Sequence, residues 1–396
     1  MKKVFNLLVS FVLIAGFSAC SKDDSGNQQQ EPEPEYPSPA PVPSADYKGL
    51  AFISSGESTV RLAQVGTPYE ISLEYSTDES QWKPYTIGET ITLADSTFLL
   101  FRDGEHRNHR FSKDTENYYH FEISGPVTAQ GNIMSLLDRD FSTPLSTNAF
   151  FALFEGCTSL LSAPELPATT MAQGCYFRMF AGCTGLTSAP ELPANALAYN
   201  CYGWMFKGCS ALASAPKLPA TKMEAYCYNG MFANCTKLTS APELPAKRLE
   251  SNCYNCMFEG CTSLTSAPEL PATYLVRECY HSMFNGCTSL TSAPKLPATT
   301  LDWGCYSEMF QGCTSLTTAP ELPAKELIGN CYQLMFKDCS KLRYVKALFT
   351  TGPSEETTKD WLSGVAASGT FVKSKNATWN VTGVHGIPKG WKIETQ

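Results

Sequence analysis

Leucine recurs at residues 160, 186, 212, 238, 264, 290, 316 and 342, always 26 residues apart and without a slip. A period held over seven full units restricts the chain to stacked repeats, because one such unit cannot bury its apolar face alone. The consensus reads LTSAPELPATxLxxxCYxxMFxGCTS, numbered here from its leucine as positions 1 to 26. A degenerate unit precedes the array, with Met134, Leu137, Leu145, Phe150, Leu153, Phe154, Gly156 and Cys157 in register. Another begins at Leu342 and dissolves into a different segment. Atypical end units are what a solenoid needs to cover its terminal apolar faces.

Within a unit, positions 10 to 22 are expected to form a helix. Thr or Asn at position 10 (Thr169, Asn195, Thr221, Thr273, Thr299) suits an N-cap. Gly, Asn or Asp at position 23, as at Gly182, Asn234 and Asp338, suits the left-handed residue that ends helices. At about 100° per residue, positions 12, 16, 17, 20 and 21 share one side, and they hold Leu or Met, Cys, Tyr, Met and Phe. Positions 14, 15, 18 and 19 fall opposite and vary freely. The opening Leu-Thr-Ser-Ala can extend and pair with the next unit, and prolines at positions 5 and 8 keep that strand short. The expected fold is therefore an α/β repeat solenoid of leucine-rich-repeat type, with one short parallel strand and one helix per 26 residues.

Fifteen of the 17 cysteines belong to the repeat. Cys175, Cys201, Cys227, Cys253, Cys279, Cys305 and Cys331 stand at position 16. Cys157, Cys183, Cys209, Cys235, Cys261, Cys287, Cys313 and Cys339 stand at position 24. Spacings of eight and 18 without a histidine partner do not suit zinc. Eight helical residues span about 12 Å, too far for a disulfide within one unit. Bonds between neighbouring units stay open on geometry, but cysteine is also a small apolar filler, and buried free thiols are the expectation. Cys256, at position 19, falls on the face expected to be exposed.

The flanks differ. Residues 1–20 carry Lys2, Lys3 and an apolar run too short to cross a membrane, as in a signal peptide. They end in Phe17-Ser18-Ala19-Cys20, which resembles the lipobox of bacterial lipoproteins and implies acylation of Cys20. The following SKDDS resembles the acidic tether of surface lipoproteins in Bacteroidetes, and residues 21–46 read as a Pro- and Gln-rich spacer. Residues 47–133 alternate apolar and polar in YEISLEY, ITL, FLLF and YYHFEIS, the pattern of a small all-β sandwich. Asp103, Glu105, His106 and His109 share one turn there, which reads as a solvated loop. A capping repeat over 134–159, seven repeats over 160–341 and a C-terminal cap with a β-hairpin over 342–396 complete the expected organisation.

The MFxGCxxLT core of the repeat, from about Met134 to Leu348, resembles the BspA-like leucine-rich-repeat proteins and related 26-residue-repeat surface lipoproteins. That resemblance implies a cell-surface protein held to the outer membrane by lipid. Its partner would be a host matrix protein or another cell-surface protein. The family offers no catalytic residues to carry over.

A formal charge of −8 with no lysine-rich patch speaks against nucleic acid. No Ser-His-Asp set, HExxH helix or phosphate loop stands out, so no catalytic residue, cofactor, metal or small-molecule substrate is expected. The leading expectation is a non-enzymatic adhesin or interaction scaffold. A glycan-binding surface protein and a passive envelope spacer are the alternatives. Tyr199, Trp204, Tyr226, Tyr274 and Trp303 are the candidate contacts, because tyrosine and tryptophan most often dominate interface energy.

Overall fold

The computed structural model describes residues 42–104 and 108–396. The expected signal peptide and its Cys20, most of the expected spacer, Glu105 and His106 lie outside the described residues. What is described falls in one compact unit, Ala40–Gln396.

Eight strands come first: β1 (Leu50–Ser54), β2 (Ser58–Val65), β3 (Leu73–Ser76), β4 (Lys83–Pro84), β5 (Thr90–Leu93), β6 (Phe98–Asp103), β7 (Tyr118–Ser124) and β8 (Val127–Gln130). They form where the alternating pattern predicts. One sheet runs β5-β2-β7 and the other β4-β3-β6-β1-β8, all antiparallel within this region. Phe52 packs edge-on to Phe101 and Phe121 between them.

This sandwich is not separate from the repeats. Its larger sheet continues into β9 (Leu160–Ser162), the opening strand of the first repeat, which pairs parallel to β8. Strand β7 also takes the place of a preceding coil. Phe121 N–H donates to the Leu153 carbonyl, the Cys157 thiol donates to the Phe121 carbonyl, and the Phe121 ring stacks on Phe154 at 5.2 Å. The β region thus covers the first coil's apolar end.

The repeats depart from the expected helix. Among the described residues the one α-helix is α1 (Glu355–Thr358), beyond the seven units. Positions 15, 19 and 23 instead carry positive φ in every unit: 59°, 58° and 76° at Gly174, Arg178 and Gly182 in the first, and 57°, 56° and 62° at Asn330, Leu334 and Asp338 in the last. A left-handed residue every fourth position is incompatible with an α-helix. The hydrogen bonds show what replaces it. Cys175, Phe177, Met179, Ala181 and Cys183 donate back three residues within their own coil. The alternating residues Gly174, Tyr176, Arg178, Phe180 and Gly182 donate forward 25 residues to carbonyls of the next coil, at 2.7–3.1 Å. Half of the arc is therefore satisfied by its neighbour.

The strand side is thinner than expected. After β9, position 3 is reduced in most units to isolated parallel bridges such as Ser240↔Ser266 and Ser266↔Ser292, with a second ladder at position 11, as in Thr170↔Ala196. Each coil buries its residues at positions 1, 7, 16, 17, 20, 21 and 24, from Leu160, Leu166, Cys175, Tyr176, Met179, Phe180 and Cys183 onward. Those residues recur every four along the arc, matching the left-handed turns. Phenylalanines at position 21 stack from Phe154 to Phe336 at 5.4–5.8 Å within 9° of parallel.

The C-terminal segment is a second correction. It is no hairpin: β10 (Tyr344–Ala347), β11 (Thr370–Lys373) and β12 (Lys392–Thr395) are parallel neighbours, and Tyr344 pairs Thr370 at the repeat's own spacing of 26. The unit from Leu342 is thus an eighth coil, with Asp360 and Gly364 left-handed at positions 19 and 23. Trp361, Phe371, Trp379 and Trp391 then close the core. Trp361 stacks on Tyr332 at 6.2 Å, and the three indole N–H groups donate to the carbonyls of Gly386, Phe349 and Ala366.

Candidate interaction surface

Two exposed surfaces remain once each coil has committed its core. On the strand side, Thr and Ser at positions 2 and 3 lie beside exposed Glu165, Glu191, Lys217, Glu243, Glu269, Lys295 and Glu321 at position 6. Several threonine hydroxyls are turned along the axis: those of Thr187, Thr265 and Thr291 donate to the carbonyls of Leu161, Thr239 and Thr265. This strip is polar and nearly identical from coil to coil.

The arc side is more varied. Glu155, Phe177, Arg178, Trp204, Lys207 and Asn234 surround an open cleft of about 500 Å³ whose floor is Gly156, Gly182 and Gly208. Glycine at position 23 serves the left-handed turn, and the missing side chains leave the trough. Arg178 pairs with Glu155. Lys207 Nζ lies 4.4 Å above the Trp204 ring, a cation–π contact.

The five aromatic candidates do not form one site. Tyr199 and Tyr226 meet edge-to-face at 5.7 Å. Tyr274 is the most exposed, at 62%, and stands apart on the position 11 ladder. Trp303 lies under the Arg277 guanidinium at 4.7 Å. Trp204 is only half-buried rather than free.

A rule of placement emerges that the sequence shows once one knows to look along a column. Three large rings are followed, at the same position of the next coil, by glycine: Phe177 by Gly203, Trp204 by Gly230 and Trp303 by Gly329. A Cβ added to Gly230 would come within 2.3 Å of the Trp204 ring, and at Gly203 within 2.9 Å of Phe177. These rings lie down on their neighbours, so part of their burial serves the stack.

The cysteines are structural in placement. All fifteen ladder thiols are buried and unbonded to one another. At position 24 each thiol from Cys183 onward has a defined partner, the carbonyl of Phe at position 21 one coil back, for example Cys183 to Phe154 at 3.0 Å and Cys235 to Phe206 at 3.1 Å, while Cys157 uses Phe121 of β7 instead. That carbonyl already accepts a backbone N–H, and the thiol, a weak donor, adds a second bond. Burial pushes the thiols up, to about 12 for Cys175, Cys209, Cys227 and Cys261, so they stay protonated and unreactive at neutral pH. Cys256 is only half-buried, and burial, with the Glu259 carboxylate beside it, raises its thiol as well. Nearby, Glu308 is held below its usual range first by His281, whose Nε2 lies 3.7 Å from its carboxylate, opposed by partial burial, with the Ser282 hydroxyl donating a hydrogen bond. Among the described residues no group of three or more His, Cys, Asp or Glu could hold a metal ion.

A stacked coil with a parallel ladder, a buried leucine at its start and a cysteine at its close defines a leucine-rich-repeat solenoid. The pattern of the BspA type leucine rich repeat region matches residues 152–267 and 228–351, in six copies, and together these span half of the chain. The chain belongs to that family. No curated protein and no solved structure is significantly similar to it. Leucine-rich repeats mediate contact between proteins, and the chain carries a protein-interaction scaffold.

Proposed function

We propose that this protein is a cell-surface lipoprotein, anchored to the outer membrane through Cys20, whose solenoid acts as a non-enzymatic adhesin toward a host matrix protein or another surface protein. The observation that carries this reading is the division of every coil into a fixed interior and an exposed remainder. With positions 1, 7, 16, 17, 20, 21 and 24 committed to the core, the strip at positions 2 to 6 and the trough beside Trp204 are free to meet a partner. The trough joins aromatic edges to Lys207 and Arg178 in a chain of net negative charge, which suits an acidic segment of a protein. A regular glycan platform is less well served. Lys207 and Arg277 cover a face of Trp204 and Trp303, and both rings also pack on the next coil's glycine.

The test uses lipid-free protein against immobilised matrix proteins and whole cells, with Lys207→Glu and the pair Glu243→Lys with Glu269→Lys as variants. Binding by the wild type, weakened about tenfold or more by one variant with the fold intact, supports the reading and assigns the face. No binding to any protein surface overturns the adhesin and leaves the spacer. Protease shaving of intact cells tests the location: repeats that survive shaving reject surface exposure.

A further inference from the structure

The trough floored by Gly156, Gly182 and Gly208 has a twin on the same side of the solenoid. Position 23 is glycine again at Gly260, Gly286 and Gly312, and between the two runs stands Asn234, exposed and left-handed like the glycines. An added Cβ at Gly182, Gly208, Gly286 or Gly312 would come no nearer than 3.6 Å to the neighbouring coil, so both floors lie open. Three coils thus lie on each side of Asn234, in six steps of 5.4–5.8 Å measured along the phenylalanine stack.

The two halves differ in charge. The first is flanked by Lys207 and by Arg178 paired with Glu155, the second by Glu259 and by Glu308 beside His281. Lys207 and Glu259 occupy position 22 one coil before and one coil after Asn234. Among the described residues neither forms an ion pair within the chain. The middle coil carries small residues at the flanking positions 19 and 22, Gly230 and Ala233, and the Trp204 ring lies over Gly230.

A face of this kind is its own complement. We propose that the acidic segment this trough takes is the second half of the same face on another copy of the chain, so that two solenoids dock antiparallel about Asn234. A half-turn about an axis through Asn234, normal to the face, lays the basic trough of each copy on the acidic trough of the other. Lys207 of each copy then faces Glu259 of the other, and the contact closes on itself, as a two-fold interface must. Docking with the solenoids parallel and in register would instead set lysine on lysine and glutamate on glutamate, which is repulsive. Gly230 and Ala233 meet their own copies at the axis, where their small side chains leave room for close approach. Trp204 lies beside that axis, in the central zone where interface energy concentrates. The inference rests on the trough being a contact surface, as proposed above, and names what it contacts.

The experiment follows the association of the lipid-free chain, with no other protein present, by sedimentation velocity up to about 100 µM. The wild type should form a closed dimer that added salt weakens. Lys207→Glu and Glu259→Lys should each raise the dissociation constant about tenfold or more, since either one sets two like-charged pairs in a dimer. Mixed in equal amounts, the two variants should associate with each other about as tightly as the wild type, because both pairs are then opposite in charge again. If either reversal lowers Tm, Lys207→Gln and Glu259→Gln replace the reversals, and each should weaken the dimer about threefold. A wild type that stays monomeric, open chains of copies, or reversed variants that keep their Tm and fail to restore each other would overturn the proposal. So would glutamine variants that dimerise as well as the wild type. Matrix binding by a chain that stays monomeric rejects the second copy and keeps the adhesin. A dimer that binds no matrix protein rejects the matrix target and keeps the second copy.

Discussion

The β region and the solenoid share one continuous core but satisfy their backbones in opposite ways. In β1 to β8 each strand bonds antiparallel neighbours, and burial alternates along the strand, as in β5, where Ile91 and Leu93 point inward. In the coils, every second N–H of the arc bonds a carbonyl 25 residues ahead, and buried residues come in adjacent pairs every four. The β region gains its order from within itself. A coil is incomplete without the next one, so stability in the solenoid belongs to interfaces between units.

That contrast is most sharply broken by alkali. Between residues 21 and 156 the chain has no cysteine, whereas the coils bury fifteen. Their thiols are raised by burial from an ordinary value near 9, to about 12 for Cys157 and Cys279 among others. The folded state therefore keeps protons that the unfolded state releases. The stability linked to them is fully present below pH about 9 and is lost as the pH rises toward 12, at about 1.4 kcal/mol per pH unit per thiol. Raised tyrosines add in the same direction in both regions. Hydrogen exchange followed by mass spectrometry from pH 8 to 11 should show the coils opening first. Equal loss in both regions would show that the thiols are not protected as buried groups.

Next in size, Phe232→Ala in the middle of the ring ladder and Phe101→Ala in the β region should each cost about 3–5 kcal/mol. The local cost is matched, but the spread should differ. The first should raise exchange in the coils above and below it, the second across the sandwich. Exchange confined to one coil after Phe232→Ala would contradict the nearest-neighbour account.

Smaller effects come from glycine. At Gly156 the backbone is left-handed with φ 76° and an added Cβ would meet nothing within 4 Å, so Gly156→Ala should cost about 1 kcal/mol. Gly230→Ala adds a collision with Trp204 to the same backbone cost and should lose about 1–3 kcal/mol more by overpacking. It should also shift indole fluorescence; equal costs at the two sites would mean that Trp204 does not rest on Gly230. Smallest, Cys235→Ala removes the thiol's bond to the Phe206 carbonyl and a little volume, about 1 kcal/mol by chemical denaturation.

Much of this was legible in the chain. The exact period gave the architecture, because any unit repeated without a slip must stack on its copies. The alternation in ITL and YYHFEIS placed β5 and β7, and the constancy of Leu160, Cys175, Tyr176, Phe180 and Cys183 in successive units marked the interior. What the period could not separate was a helix from a four-residue turn. Across positions 16 to 24 a repeat of 3.6 and a repeat of four bury nearly the same residues. The discriminating signal, Gly or Asn at position 15 in Gly174, Asn200, Asn252, Gly304 and Asn330, lies on what a helix would make its variable face. The choice was made by tertiary structure. A helix satisfies its amides locally, whereas Tyr176, Arg178 and Phe180 donate to a neighbour that exists only once the coils have stacked. For the same reason the sequence set the strands of the β region and the spacing of Tyr344 and Thr370, but only the assembled sheet decided that β8 would hand its free edge to β9 and that the C-terminal strands would run parallel.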